Sequence, residues 1–231
     1  MQILAIIVFF ISISALLVWF FIKNDRGDKE PISVLWKAGI IGFLGFIGAG
    51  LIESWIIPES HLSPKTSSIG ISFFTYVLVG AIEESLKFLP LAIYIYKKKY
   101  FNEHTDGIIY FAIAGIGFGI PENIAYSIIS GAPAGMIRLI LLPIFHAATA
   151  AIVGYFLIKV KIDKKPWYTV GLAFLLVVMI HGLFDFCLST KNPSLIMVSV
   201  LITFTVSIML FVLFFKASNL DKKAGLYRRK K

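Results

Sequence analysis

Two adjacent carboxylates and a lysine, Glu83, Glu84 and Lys87, stand in the middle of an apolar run from Gly70 to Tyr96. That run is long enough to cross a bilayer, and a charge near the bilayer centre costs at least ~2.5–3.5 kcal/mol. On a helix Glu83 and Lys87 share a face, while Glu84 lies about 100° round. An ion pair from Glu83 to Lys87, holding two helices together, would explain one acid and leave the other without a reason. The second acid needs water, a protein partner or a bound ion. The test is whether other apolar runs bring polar groups to the same depth.

They do. Glu122 and Asn123 follow Pro121 in the run from Asp106 to Ile129, and His146 lies within Met136 to Ile158. His181 and Asp185, four apart on one face, lie within Trp167 to Leu188. At about 1.5 Å per helical residue, Glu83 is roughly 20 Å from one membrane surface and His146 roughly 15 Å. Glu122 and His181 are about 10 Å from the same surface. Acids and histidines at one depth suit three kinds of work. A carboxylate can act as general base toward water. Histidine nitrogen and carboxylate oxygen can hold a divalent metal such as zinc. The same groups can relay protons or cations through a transporter.

These residues need a bilayer and a bundle of helices to bring them together. The 231-residue chain is 58% hydrophobic and only 15% charged, against about 25% charged in soluble domains. The expected fold is therefore all-α and polytopic, with about seven transmembrane helices in a single domain covering residues 1–231. The runs are too long and too continuous for the strands of a membrane barrel. The spans expected are 2–22, 33–57, 70–96, 106–129, 136–158, 167–188 and 194–215, followed by a basic tail at 216–231. The first run lacks a basic leader and ends in WFFIKNDR, so it reads as a retained helix. Gly39, Gly42, Gly45 and Gly48, and again Gly115 and Gly119, read as places for close helix packing. Pro121 is expected to disturb its helix beside Glu122 and Asn123. Glu53, near the end of the second span, reads as an interfacial carboxylate.

The net charge of +9 is distributed by loop, which points to membrane topology and not to nucleic acid. Lysine and arginine gather after spans one, three, five and seven, and only Lys65, Arg138 and Lys191 lie on the other side. By the positive-inside rule the N-terminus is outside and the C-terminus in the cytoplasm. The one cysteine, Cys187, excludes an internal disulfide.

In order along the chain stand DKEP (28–31), EESLK (83–87), DGIIY (106–110), GFGIPENIAY (117–126), RLILLPIFHAATAAIVGYFL (138–157) and HGLFDF (181–186). Together they resemble the PrsW family of intramembrane proteases, relatives of the CAAX prenyl endopeptidases in the wider CPBP group. The resemblance covers a core of about residues 25–187, leaving helices 2–22 and 194–215 outside it. It implies a multi-pass protein of the prokaryotic plasma membrane whose partners are the lipid bilayer and a membrane-spanning protein substrate. The implied activity is an endopeptidase, and family members are associated with site-1 cleavage of an anti-sigma factor. By motif it carries the catalytic roles to Glu83, Glu84, His146 and His181. The chain departs from the CAAX endopeptidase pattern at Lys87, Leu142 and Asp185, so prenyl-protein processing fits less well.

The mechanism expected has Glu83, helped by His146, take a proton from water, with His181 stabilising the oxyanion or holding a metal. Lys87 neutralises part of the acidic pair, and Glu84, Glu122 and Asn123 support the site. Ionised Asp185 can only accept a hydrogen bond, which suits a metal better than an oxyanion. The metal reading takes one zinc ion on His146, His181, Asp185 and Glu83; a metal-free glutamate mechanism is the alternative. Two further readings are a proton- or cation-coupled transporter and a non-catalytic relative of the protease fold. No repeated halves with paired broken helices favour the transporter. Intact acids and histidines speak against loss of catalysis. Substrate identity and oligomeric state are not legible.

Overall fold

The computed structural model describes residues 2–130 and 132–226, without the side chains of residues 2, 3, 5, 6, 129, 130 and 132–143. The side chains of Arg138, Leu142 and Pro143, and the basic residues 228–231, which entered the sequence reading, lie outside what is described. Seven long helices follow one another: α1 (Gln2–Asn24), α2 (Ile32–Ile56), α3 (Ile69–Ile95), α4 (His104–Ser130), α5 (Ala132–Ile162), α6 (Tyr168–Ser189) and α7 (Pro193–Lys223). No strand occurs among the described residues, and all seven helices are long and apolar enough to cross a membrane. The protein is an all-α, multi-pass membrane protein.

Local chemistry explains several ends. Ser68 caps α3 by accepting the Ile71 N–H at 3.2 Å, and Asn192 caps α7 by accepting Ser194 N–H at 2.9 Å, with Pro193 at its first position. Two helices run further than expected. α5 starts at Ala132 and not Met136, and α7 continues through Lys223 instead of ending at Phe215. The extra turns of α7 are anchored: Ala217 and Asp221 are buried, and Asp221 accepts the backbone N–H groups of His104 at 2.8 Å and Thr105 at 3.0 Å. The expected basic tail is thus helical as far as Lys223. Pro90 and Pro121 sit inside α3 and α4 without ending them. A proline removes one backbone donor, and packed neighbours keep the remaining turns in register.

α4 and α5 form the buried centre, while α1, α2, α3 and α7 turn large apolar faces outward, with Trp36, Trp55, Phe74, Ile93 and Phe204 all exposed. Exposed apolar faces are what lipid contact requires. Small residues let the central helices meet. A Cβ on Gly42 would fall on the Ala114 carbonyl of α4, and one on Gly80 would come within 3.1 Å of Gly182 and His181 on α6. Substituting Gly42 must push α2 and α4 apart, and at Gly80 a methyl group would need α6 to give by a few tenths of an ångström.

The lysine-rich end of the bundle is tied by carboxylates. Asp106 accepts the backbone N–H groups of Asn102 at 2.6 Å and Glu103 at 2.7 Å. His104 bridges Asp221 at 2.7 Å and Asp163 at 2.9 Å. Asp28 N–H donates to Glu103 at 2.8 Å, and the Tyr110 hydroxyl donates to Glu30. The DKEP and DGIIY segments therefore meet each other, pinning the α1–α2 loop to the start of α4. Burial first, and then the hydrogen bond and charge of Asp106, push the Glu30 carboxyl up to about 11. Burial also raises Glu103 to about 7.

Candidate active site

Four helices supply the polar cluster. α3 carries Glu83, Glu84 and Lys87, α4 carries Glu122 and Asn123, α5 carries His146, and α6 carries His181 and Asp185. All eight are buried. Lys87 is fully buried and is the hub of one side. Its ammonium lies 2.9 Å from Glu84 Oε1, 3.4 Å from Glu83 Oε2 and 2.8 Å from His146 Nδ1, over the Phe118 ring at 4.1 Å. The lysine pairs with both acids and lies closer to Glu84 than to Glu83. Glu84 Oε1 is held in place by three donors at once, since Thr149 Oγ1 reaches it at 3.1 Å and His181 Nδ1 at 2.7 Å.

These contacts set the two imidazoles differently. An ammonium has donors and no acceptor, so a contact from Lys87 makes Nδ1 of His146 the accepting nitrogen. The neutral ring then carries its hydrogen on Nε2, which faces Glu122 Oε2 at 2.8 Å without hydrogen-bond alignment. His181 is the reverse case. Its Nδ1 is engaged by the Glu84 carboxylate, leaving Nε2 toward Glu83 Oε2 at 3.4 Å and Asp185 Oδ2 at 3.3 Å. A carboxylate behind one imidazole nitrogen with the other presented forward is the usual support of a metal-binding histidine.

Two spacings about His181 Nε2 suit a metal. Donors about 2.0–2.2 Å from a tetrahedral zinc ion lie roughly 3.3 Å from one another. The His181–Glu83 and His181–Asp185 separations match that figure. Glu83, His146 and His181 also offer ligand atoms all within 4.8 Å of one another.

The second acid of the pair thus has work to do: it orients His181 and Lys87. Seven of the eight expected residues converge. Asn123 does not visibly join them; its amide donates to Gly119 O of its own helix at 2.7 Å. That bond steadies the turn on which His146 rests, for a Cβ at Gly119 would come within 2.7 Å of His146 Cδ2. Thr149, Phe118 and Phe145 were not anticipated. Phe145 stacks on Phe184 at 4.2 Å and stands edge-on to both His146 and His181. Thr149 follows His146 by three residues, so helical spacing was its one available signal.

A sequence model described as PrsW family intramembrane metalloprotease matches residues 30–215. The chain belongs to the PrsW family. Among curated relatives, Protease PrsW of Bacillus subtilis (strain 168) is 31% identical over 182 residues, covering 77% of this chain and 79% of the relative. Protease PrsW of Geobacillus kaustophilus (strain HTA426) is 29% identical, covering 77% and 76%. Protease PrsW of Clostridioides difficile (strain 630) is 28% identical over 208 residues, covering 87% and 82%. No solved structure matches. The chain is accordingly a membrane-embedded peptidase, and the transporter reading is not favoured. The PrsW match runs from Glu30 into α7 as far as residue 215, further toward the C-terminus than the core expected from the motifs. Its description as a metalloprotease agrees with a donor set that can hold a metal.

Proposed function

We propose that the chain hydrolyses a peptide bond of a membrane-spanning protein with a divalent ion, zinc by donor type, held by His181 Nε2, Glu83 and Asp185. The observation that carries this reading is the spacing of those three groups about His181 Nε2, 3.4 Å and 3.3 Å. A metal at such a position lowers the pKa of bound water and polarises a carbonyl.

The protein's own residues supply the rest. Glu122 accepts the proton that water loses and returns it to the leaving amine, while its neighbour His146, with hydrogen on Nε2, donates a hydrogen bond toward the carbonyl oxygen. Glu83 then serves as a ligand, and the role of base expected for it passes to Glu122. Lys87 holds the His146 tautomer, and Glu84 holds His181. By the distribution of lysine the N-terminus is outside, so the cleavage chemistry faces the extracytoplasmic half of the membrane. That location suits the first cut in a membrane-spanning anti-sigma factor, the substrate class the family resemblance implies.

The test is cleavage of a panel of single-span peptides by purified protein, wild type beside Glu83→Ala. Ordered cleavage by the wild type alone is expected. No cleavage of any peptide, with cation flux through reconstituted protein in its place, would overturn the hydrolytic reading.

A further inference from the structure

Glu53 occupies a position that no part of the mechanism explains. It lies in the last turn of α2 and continues the packed stripe Ala38, Gly42, Gly45 and Ala49 by one further step of four. Gly45 and Gly48 rest on Leu86 of α3, and the two helices run in opposite directions. At about 1.5 Å per residue, Glu53 therefore lies roughly one helical turn beyond Glu83, toward the end away from the lysine-rich loops.

Three features make a carboxylate costly there. Its Oε1 is buried with no hydrogen-bond donor. Its electrostatic neighbours include the acids Glu83, Glu122 and Asp185, with His181 as the one counterweight among them. It also stands at the C-terminal end of a helix, where the backbone carbonyls already concentrate negative charge, and no basic residue lies in that turn. Lys87 is committed to Glu83, Glu84 and His146.

We propose that Glu53 binds substrate in this protease site, receiving a lysine or arginine side chain carried on the flank of the scissile bond nearer that end of the bundle. The inference rests on the peptidase reading above. A basic side chain suits the position better than a second metal ion. One carboxylate suffices for an ammonium or guanidinium. The depth agrees: Glu53 is three residues from the end of α2, where a long basic side chain can lay its stem on apolar surface and keep its charge near the interface. Exposed Ile56, three residues on and on the same face of the helix, provides such surface.

The experiment uses full-length protein in detergent and single-span peptides in which one residue on that flank is lysine, glutamine or glutamate, moved position by position. At one position wild type should prefer lysine to glutamine by about tenfold or more in kcat/KM, chiefly through KM. Glu53→Gln should abolish the preference, and Glu53→Lys should prefer the glutamate peptide. Equal wild-type cleavage of all three peptides at every position would overturn the proposal, as would a Glu53→Gln protein that loses turnover yet keeps the preference. Cleavage of none of them by wild type would instead remove the peptidase reading on which it rests.

Discussion

At Lys87 a fully buried ammonium holds Glu83, Glu84 and His146 together, so its removal would take from both carboxylates the ammonium they share. Breaking a buried ion pair from one side costs about 3–5 kcal/mol, so Lys87→Met should lower thermal stability markedly, as well as abolish cleavage. Glu122→Gln separates proton transfer from structure. It keeps size and leaves the donors around His181 Nε2 untouched, so bound metal should remain while cleavage falls ~10²–10⁴-fold. Metal content and turnover measured on the same preparation check this. Loss of metal in Glu122→Gln, or its full retention in Glu83→Gln, would exchange the roles given to the two acids.

Elements matter here through how closely they approach. His146 rests against Gly119, where even a methyl group would meet the ring. Gly119→Ala should reduce cleavage strongly while the protein still folds, since the neighbouring ring can turn aside more easily than α4 can move. Size-exclusion profile and turnover together distinguish displacement from unfolding. The lysine-rich end makes a different prediction. Burial raises Glu103 to about 7, and an unfolded glutamate titrates near 4.5. The folded state therefore binds more protons between those values, and stability should fall as pH rises through that window. Thermal midpoints of wild type should decline from pH 4.5 toward pH 7, and Glu103→Gln should flatten the decline. An unchanged slope in the variant would remove Glu103 as its cause.

At the scale of the whole molecule, the bilayer makes some features legible and hides others. Charges inside apolar runs are costly without partners, so Glu83, Glu84, Lys87, Glu122, His146, His181 and Asp185 could be grouped by depth, but helical spacing could not show that they converge. Nor could it show which oxygen meets which donor. Helical spacing favoured Lys87 with Glu83, but Thr149 and His181 on other helices draw Glu84 to the centre. Glu53 was hidden for another reason: a residue near a span's end can face water or protein, and one sequence does not tell these apart. The end of α7 was placed too early because hydropathy marks the lipid-spanning portion, whereas Asp221 anchors polar turns beyond it. Orientation remains a prediction from charge. With Cys187 removed, a single cysteine at Ser63 should label with an impermeant reagent on intact cells and one at Lys164 should not. The opposite pattern would place the site in the cytoplasmic half of the membrane.

The central claim is that His181, Glu83 and Asp185 hold a metal ion required for peptide hydrolysis. Elemental analysis and single-turnover cleavage on one purified preparation, before chelation, after it and after zinc is returned, test it most directly. Metal and cleavage should disappear together and return together, and His181→Ala should lack both. Full cleavage by protein shown to be free of metal would contradict the account.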